Sequence, residues 1–193
     1  MLVVMDDIKA IWGYFKLYLQ VDYGDVPEWM YVALLGVFCA TAILSFSMFG
    51  TKKGLRVLSL VVLAEIVVLI LCATVILRET AENREYSLVP FWSYAMESQD
   101  LQYSMYVENL MNVLMFIPLG FTLGCAFKDM GWKRIIVVAL CMSAGIEILQ
   151  YVMKKGFAEV DDVMHNTVGC VIGYLLVKGF RIIANGLSKS YSQ

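Results

Sequence analysis

Five long apolar stretches, Tyr31–Phe49, Val57–Leu77, Asn109–Phe127, Ile135–Met153 and Val163–Ile183, govern what this chain can fold into. Each has roughly the 20 residues a helix needs to cross a ~30 Å hydrocarbon core at ~1.5 Å per residue. Inside lipid only helices and closed barrels satisfy their own backbone, and these stretches lack the alternation of a barrel strand. Composition points the same way. Of the 193 residues 60% are hydrophobic and 17% charged, against about 45–50% and about 25% in soluble domains. Mean hydropathy is +0.71, more oily than a water-exposed domain of this size tolerates and far from the composition of a disordered chain. The pI of about 5.4 argues against a nucleic-acid partner. The expected fold is an all-α, polytopic transmembrane helical bundle of about five spans.

The first 29 residues do not read as a signal peptide, because Asp6 and Asp7 occupy the place of a basic n-region. Ile8, Ile11, Trp12, Phe15, Tyr18 and Leu19 recur at helical spacing, which predicts an amphipathic helix lying in the membrane interface or packed on the protein's own loops. This helix and two spans make up residues 1–77. Residues 78–108 form the one sizeable loop, and residues 184–193 a short tail. Cys39, Cys72, Cys125, Cys141 and Cys170 all fall within the apolar stretches without a CxxC pair, and read as small packing residues.

Charge sorts the two sides. Five spans place Lys52, Lys53, Arg56, Lys128, Lys133, Arg134, Lys178, Arg181 and Lys189 on one side, and the other six basic residues opposite. The excess of Lys and Arg assigns the 50–56 and 128–134 loops and the tail to the cytoplasm. Fourteen of the seventeen acids fall on the other side, while Glu65 and Glu147 lie within spans. The expectation is a multi-pass protein of the plasma membrane with its 78–108 loop extracytoplasmic.

Polar residues concentrate in the last three spans, and an ionisable residue there is a functional candidate by default. Ser143, Glu147, Gln150, Tyr151 and Lys154 share a helix face. Asp161 and Asp162 open the last span, and Asp162, Asn166, Gly169 and Gly173 form a stripe along it. Gly120-xxx-Gly124 and Gly169-xxx-Gly173 are spaced for close helix approach. Pro118 is expected to kink the third span and free a carbonyl.

Taken in order, Arg84…Leu88-Val-Pro-Phe91, Asn112-x3-Phe116-Ile-Pro-Leu-Gly-Phe121, Ser143-x3-Glu147-x2-Gln150 and Asp161-Asp162-x3-Asn166-Thr-x-Gly169-x3-Gly173 resemble the VanZ-like family. The resemblance runs over about Arg84 to Leu176, so residues 84–183 read as a VanZ-like membrane domain. It implies a bacterial membrane protein, and the family's founding member is associated with glycopeptide resistance, chiefly to teicoplanin. Two features depart from the family pattern. Lys154-Lys155-Gly156-Phe157 carries Lys where Arg is common, and the N-terminal span and amphipathic segment lie outside the resemblance.

The residues leave several roles open. Glu147 is either a ligand-binding or proton-titrating carboxylate in an outward-opening cavity, or a protonated group bonded across helices to Asn112 or to a backbone group. Asp161 and Asp162 are either solvated loop acids or helix caps, or partners of Glu147 in a carboxylate set suited to a divalent cation or to acid–base work. With Glu147 they form the candidate catalytic set. Arg84, Asn112, Gln150, Lys154 and Asn166 form the candidate ligand-binding set, with Arg84 or Lys154 holding a phosphate. A lone His165 is not a metal-ligand pattern, and no cofactor is named by the sequence. Three functions fit: a protein binding a cell-envelope precursor or lipid headgroup, an intramembrane enzyme on a lipid-linked substrate, or a proton-coupled small transporter or flippase. The expected partners are membrane lipids or a lipid-linked cell-wall precursor, with a homodimer favoured if the protein transports.

Overall fold

The computed structural model describes residues 39–40, 53–95 and 99–190. The expected amphipathic helix before residue 30 and nearly all of the expected span Tyr31–Phe49 lie outside the described residues. Within them, four helices are long and apolar enough to cross a membrane: Lys53–Ile76, Leu101–Ala126, Trp132–Met153 and Val160–Asn185. They coincide with the other four apolar stretches, so the all-α bundle holds with four spans in view. We label the helices α1 (Lys53–Ile76), α2 (Gln99–Ala126), α3 (Trp132–Met153) and α4 (Val160–Ser190).

Helices α2 and α4 form the tightest pair, and their glycines explain why. A Cβ placed on Gly169 would overlap the Val113 carbonyl oxygen, and one on Gly173 would overlap the Ile117 carbonyl. The two backbones therefore touch, as small residues allow between membrane helices. Phe116, Leu119 and Leu123 of α2 meet Ile135, Ala139 and Ile146 of α3 and Cys170 and Tyr174 of α4 in one apolar core, with Ile70 and Val75 of α1 closing it. Of the cysteines, Cys170 packs in this core while Cys141 faces outward. Helix α2 runs through Pro118 without a break. Thr122 Oγ1 bonds back to the Pro118 carbonyl at 2.8 Å, meeting locally part of the hydrogen-bonding demand inside an apolar helix.

Helix α2 begins at Gln99, well before the apolar stretch that starts at Asn109. Its polar first turns are stabilised by the loop they touch: Asn109 Nδ2 donates to Ser93 Oγ at 3.1 Å, and Gln102 Nε2 to the Tyr94 carbonyl at 3.2 Å. Between α1 and α2 the described residues, 77–95, are structured. They hold strand β1 (Glu85–Ser87) and a 3-10 turn at Trp92–Tyr94. Strand β2 (Phe157–Glu159) pairs with β1 in parallel, Tyr86 opposite Ala158. The α3–β2 connection turns at Lys154 (φ 56°) and Gly156 (φ 117°). At Gly156 the positive φ is one that a glycine meets without steric cost. This small sheet was not expected from the sequence. It forms a cap over one end of the bundle, and the loop between α2 and α3 lies at the other, basic end.

Candidate functional site

The polar residues singled out in the last three spans gather beneath the cap, in the following pairings. Glu147 is buried, and its Oε2 accepts the backbone N–H of Glu159 at 2.9 Å. Of the two partners considered for Glu147 it is thus the backbone group that bonds it, while Asn112 donates to Asp162 Oδ1 at 2.7 Å across α2 and α4. Asn166 donates to Ser143 Oγ at 2.8 Å, joining α4 to α3. Gln150 donates to the Thr74 carbonyl at 2.9 Å, where the π-helical last turn of α1 frees a backbone acceptor. Each interior amide thus bridges two helices, the arrangement that lipid surroundings favour.

Asp161 does not cap its own helix through its side chain. It is fully buried and accepts the backbone N–H of Phe91 at 2.6 Å, the N–H of Ser93 at 3.3 Å and the Ser93 hydroxyl at 2.7 Å. This ties the start of α4 to the 3-10 turn and holds Phe91 in a left-handed conformation, φ 61°. Asp161 is therefore an anchor for the cap. His165 belongs to the same support. Its Nδ1 donates to the Asp161 carbonyl at 2.7 Å, and its Nε2 shares a hydrogen bond with the Tyr94 hydroxyl at 2.7 Å. Burial pushes the Tyr94 phenol upward.

A cavity of about 480 Å³ opens on the flank of this cluster. Its walls are apolar, with Ile148 and Tyr151 of α3, Val160 and Val163 of α4, and Tyr86 and Leu88 at the cap; its two carboxylates are Glu147 and Glu159. Glu159 is the residue that sequence reasoning missed. Its Oε2 accepts the Trp92 indole N–H at 2.8 Å. Its carboxyl is raised to about 7, chiefly by burial; the indole bond and Arg78 oppose the rise, and the nearby acids Glu108 and Asp161 add to it. The clue in the sequence was slight: Glu159 stands two residues ahead of Asp161, in a run too short to show a strand pattern.

Of the proposed ligand-binding residues, none lines this cavity. Asn112, Gln150 and Asn166 give their amide N–H groups to helix bridges, while the buried Gln150 Oε1 and Asn166 Oδ1 have no hydrogen-bond partner. Lys154 Nζ bonds the Glu82 carbonyl at 2.8 Å, and Arg84 lies exposed on the cap. The cation near the carboxylates is Arg78, half-buried and 3.8 Å from Glu108. It is the first charge after the second apolar stretch, which marks a helix end but not its tertiary partner. Among the described residues no group of three or more His, Cys, Asp or Glu is placed to hold a metal ion. The site can accept hydrogen bonds or a positive charge at the foot of an apolar slot, and it offers a carboxyl poised near neutrality.

Comparison with known proteins agrees with this framework. Over 125 residues the chain is 30% identical to Protein VanZ of Enterococcus faecium, covering 65% of this chain and 72% of that protein. No solved structure matches. The VanZ/LLP1 family model matches residues 56–183, which takes in nearly all of α1 as well as the three polar helices. The chain is a membrane protein and belongs to the VanZ/LLP1 family.

Proposed function

We propose that the capped end faces out of a bacterial cell and that the slot beside Glu147 and Glu159 binds the polar end of a cell-envelope amphiphile. The occupant is a lipid headgroup or a lipid-linked cell-wall precursor, and through it the protein acts in resistance to a glycopeptide of the teicoplanin kind. The observation that carries this reading is the make-up of the slot, apolar walls ending on two carboxylates. Ligand sites are concave and mostly apolar, with a few convergent polar groups that orient the guest. Carboxylates at the foot select a polar end that donates hydrogen bonds, such as an amine, amide or sugar hydroxyl, and disfavour a bare phosphate. Outward orientation is supported by the Lys and Arg excess in the loops at the other end. The test is native mass spectrometry of the protein in lipid nanodiscs, offered a lipid-linked cell-wall precursor or membrane lipid. The wild-type protein retains one amphiphile, and Ile148→Trp, which fills the slot, loses it. Equal retention by both proteins overturns the proposal.

A second reading is favoured by Glu159 alone. A carboxyl near 7 beside another carboxylate suits general acid–base work, so the same slot fits an enzyme acting on its amphiphile. Product formation from a lipid-linked substrate, abolished in Glu159→Gln while binding persists, separates catalysis from simple retention.

A further inference from the structure

At the basic end, opposite the cap, lies a second cavity of about 540 Å³. Arg56 of α1, Lys128 of the α2–α3 loop, Arg134 of α3 and Arg181 of α4 converge on it, with Asp129 as the single acid. Four cations from four separate parts of the chain around one hollow is an arrangement that mutual repulsion opposes. The hollow is also held in shape. Arg181 Nη2 donates to the Gly124 carbonyl at 2.6 Å, and the Tyr174 hydroxyl donates to the Met130 carbonyl at 2.8 Å, fixing the loop. Helix α3 adds to the positive field. Its first turn holds no acid, its N-cap Gly131 offers no side-chain acceptor, and Arg134 sits at the end where the helix dipole is itself positive. Leu55, Phe127 and Met130 supply an apolar margin.

We propose that this cavity binds a phosphate-bearing anion, either the headgroup of an anionic phospholipid or a soluble phosphate. Arginine forks match phosphate oxygens in pairs, and basic hollows between membrane helices are suited to such headgroups. The proposal is independent of the slot under the cap, which prefers the opposite charge. Lys133 provides an internal control. It lies one residue from Arg134, but its ammonium sits over the Trp132 ring at 5.7 Å and outside the cavity lining.

The experiment places the full chain in phosphatidylcholine nanodiscs, with or without phosphatidylglycerol, and counts retained phosphatidylglycerol by native mass spectrometry. A parallel arm adds inorganic phosphate and follows the unfolding temperature. Wild type and Lys133→Gln are expected to retain phosphatidylglycerol equally, and Lys128→Gln/Arg134→Gln to bind about tenfold more weakly or worse. Arg56→Gln, which changes neither the loop nor α3, reports separately with a loss of about fivefold should the double variant unfold. Stabilisation by inorganic phosphate that the double variant lacks assigns the site to a soluble anion, and retention of lipid without it assigns the site to a headgroup. Binding of neither, or an equal loss in Lys133→Gln and the cavity variants, overturns the proposal.

Discussion

The carboxylate of Asp161 grips the turn around Ser93, taking its hydroxyl at 2.7 Å, its N–H at 3.3 Å and the Phe91 N–H at 2.6 Å. Replacing it with alanine leaves these buried donors without an acceptor, at about 1–3 kcal/mol for each group left unsatisfied. Asp161→Ala is therefore expected to lose about 3 kcal/mol of stability in detergent and to exchange the amide protons of residues 91 and 93 rapidly. Asp161→Asn keeps one carbonyl oxygen and loses less. An unchanged unfolding midpoint in the alanine variant defeats the anchoring role.

Asn112 and Asp162 form a bridge between α2 and α4 that a double-mutant cycle measures directly. With Asn112→Leu, Asp162→Ala and the combined variant, the coupling is expected to be about 1 kcal/mol, the scale of hydrogen bonds between membrane helices. A coupling indistinguishable from zero means that the 2.7 Å contact does not hold the helices.

Position decides what a methyl group does on α4. At Gly169 it meets the Val113 carbonyl, whereas at Gly179 nothing lies within reach. Gly169→Ala is expected to cost about 1–3 kcal/mol by forcing the backbones apart, and Gly179→Ala to be neutral or to gain about 0.5–1 kcal/mol from helix propensity. Thermal unfolding of the two variants side by side checks the asymmetry.

Glu159 makes stability depend on pH in a stated direction. Its carboxyl lies at about 7 in the folded protein against an ordinary 4.5, so folding takes up a proton between those values. The favourable contribution is complete below about 4.5 and is lost as pH rises through about 7. Glu159→Gln retains an oxygen for the Trp92 indole and removes the charge. It is expected to flatten this decline and to gain about 1 kcal/mol above neutrality, a figure reduced because the open cavity admits solvent. In labelled protein the Trp92 indole N–H resonance should titrate near 7, and a midpoint near 4 refutes the shift.

The helices were legible because lipid imposes a one-dimensional rule, an unbroken apolar run of sufficient length, and four such runs fall where helices form. Gly169 and Gly173 were legible for a similar reason, since their spacing is local to one helix. Partner choice was not. Asn112 and Glu147 are both polar residues in spans, and only the register of α2 against α4 sends Asn112 to Asp162. Arg78 and Arg84 are equally basic and six positions apart, yet one turns toward Glu108 and the other toward solvent. Glu159 was invisible because a three-residue strand has no periodicity, and its burial arises from pairing with β1, far away in the chain.

That pairing has a consequence for how the protein is made. The cap is stitched between residues 81 and 154, between 85–87 and 157–159, and between 91–93 and 161. Each of these three stitches joins a segment emerging early from the ribosome to one emerging two helices later. The early half must wait, with its backbone donors served by water, until α3 has crossed the bilayer and α4 has begun. A chain stopped after α3 keeps its oily spans but has no lid, so the arrival of β2 and the first turn of α4 is the event that shuts the molecule.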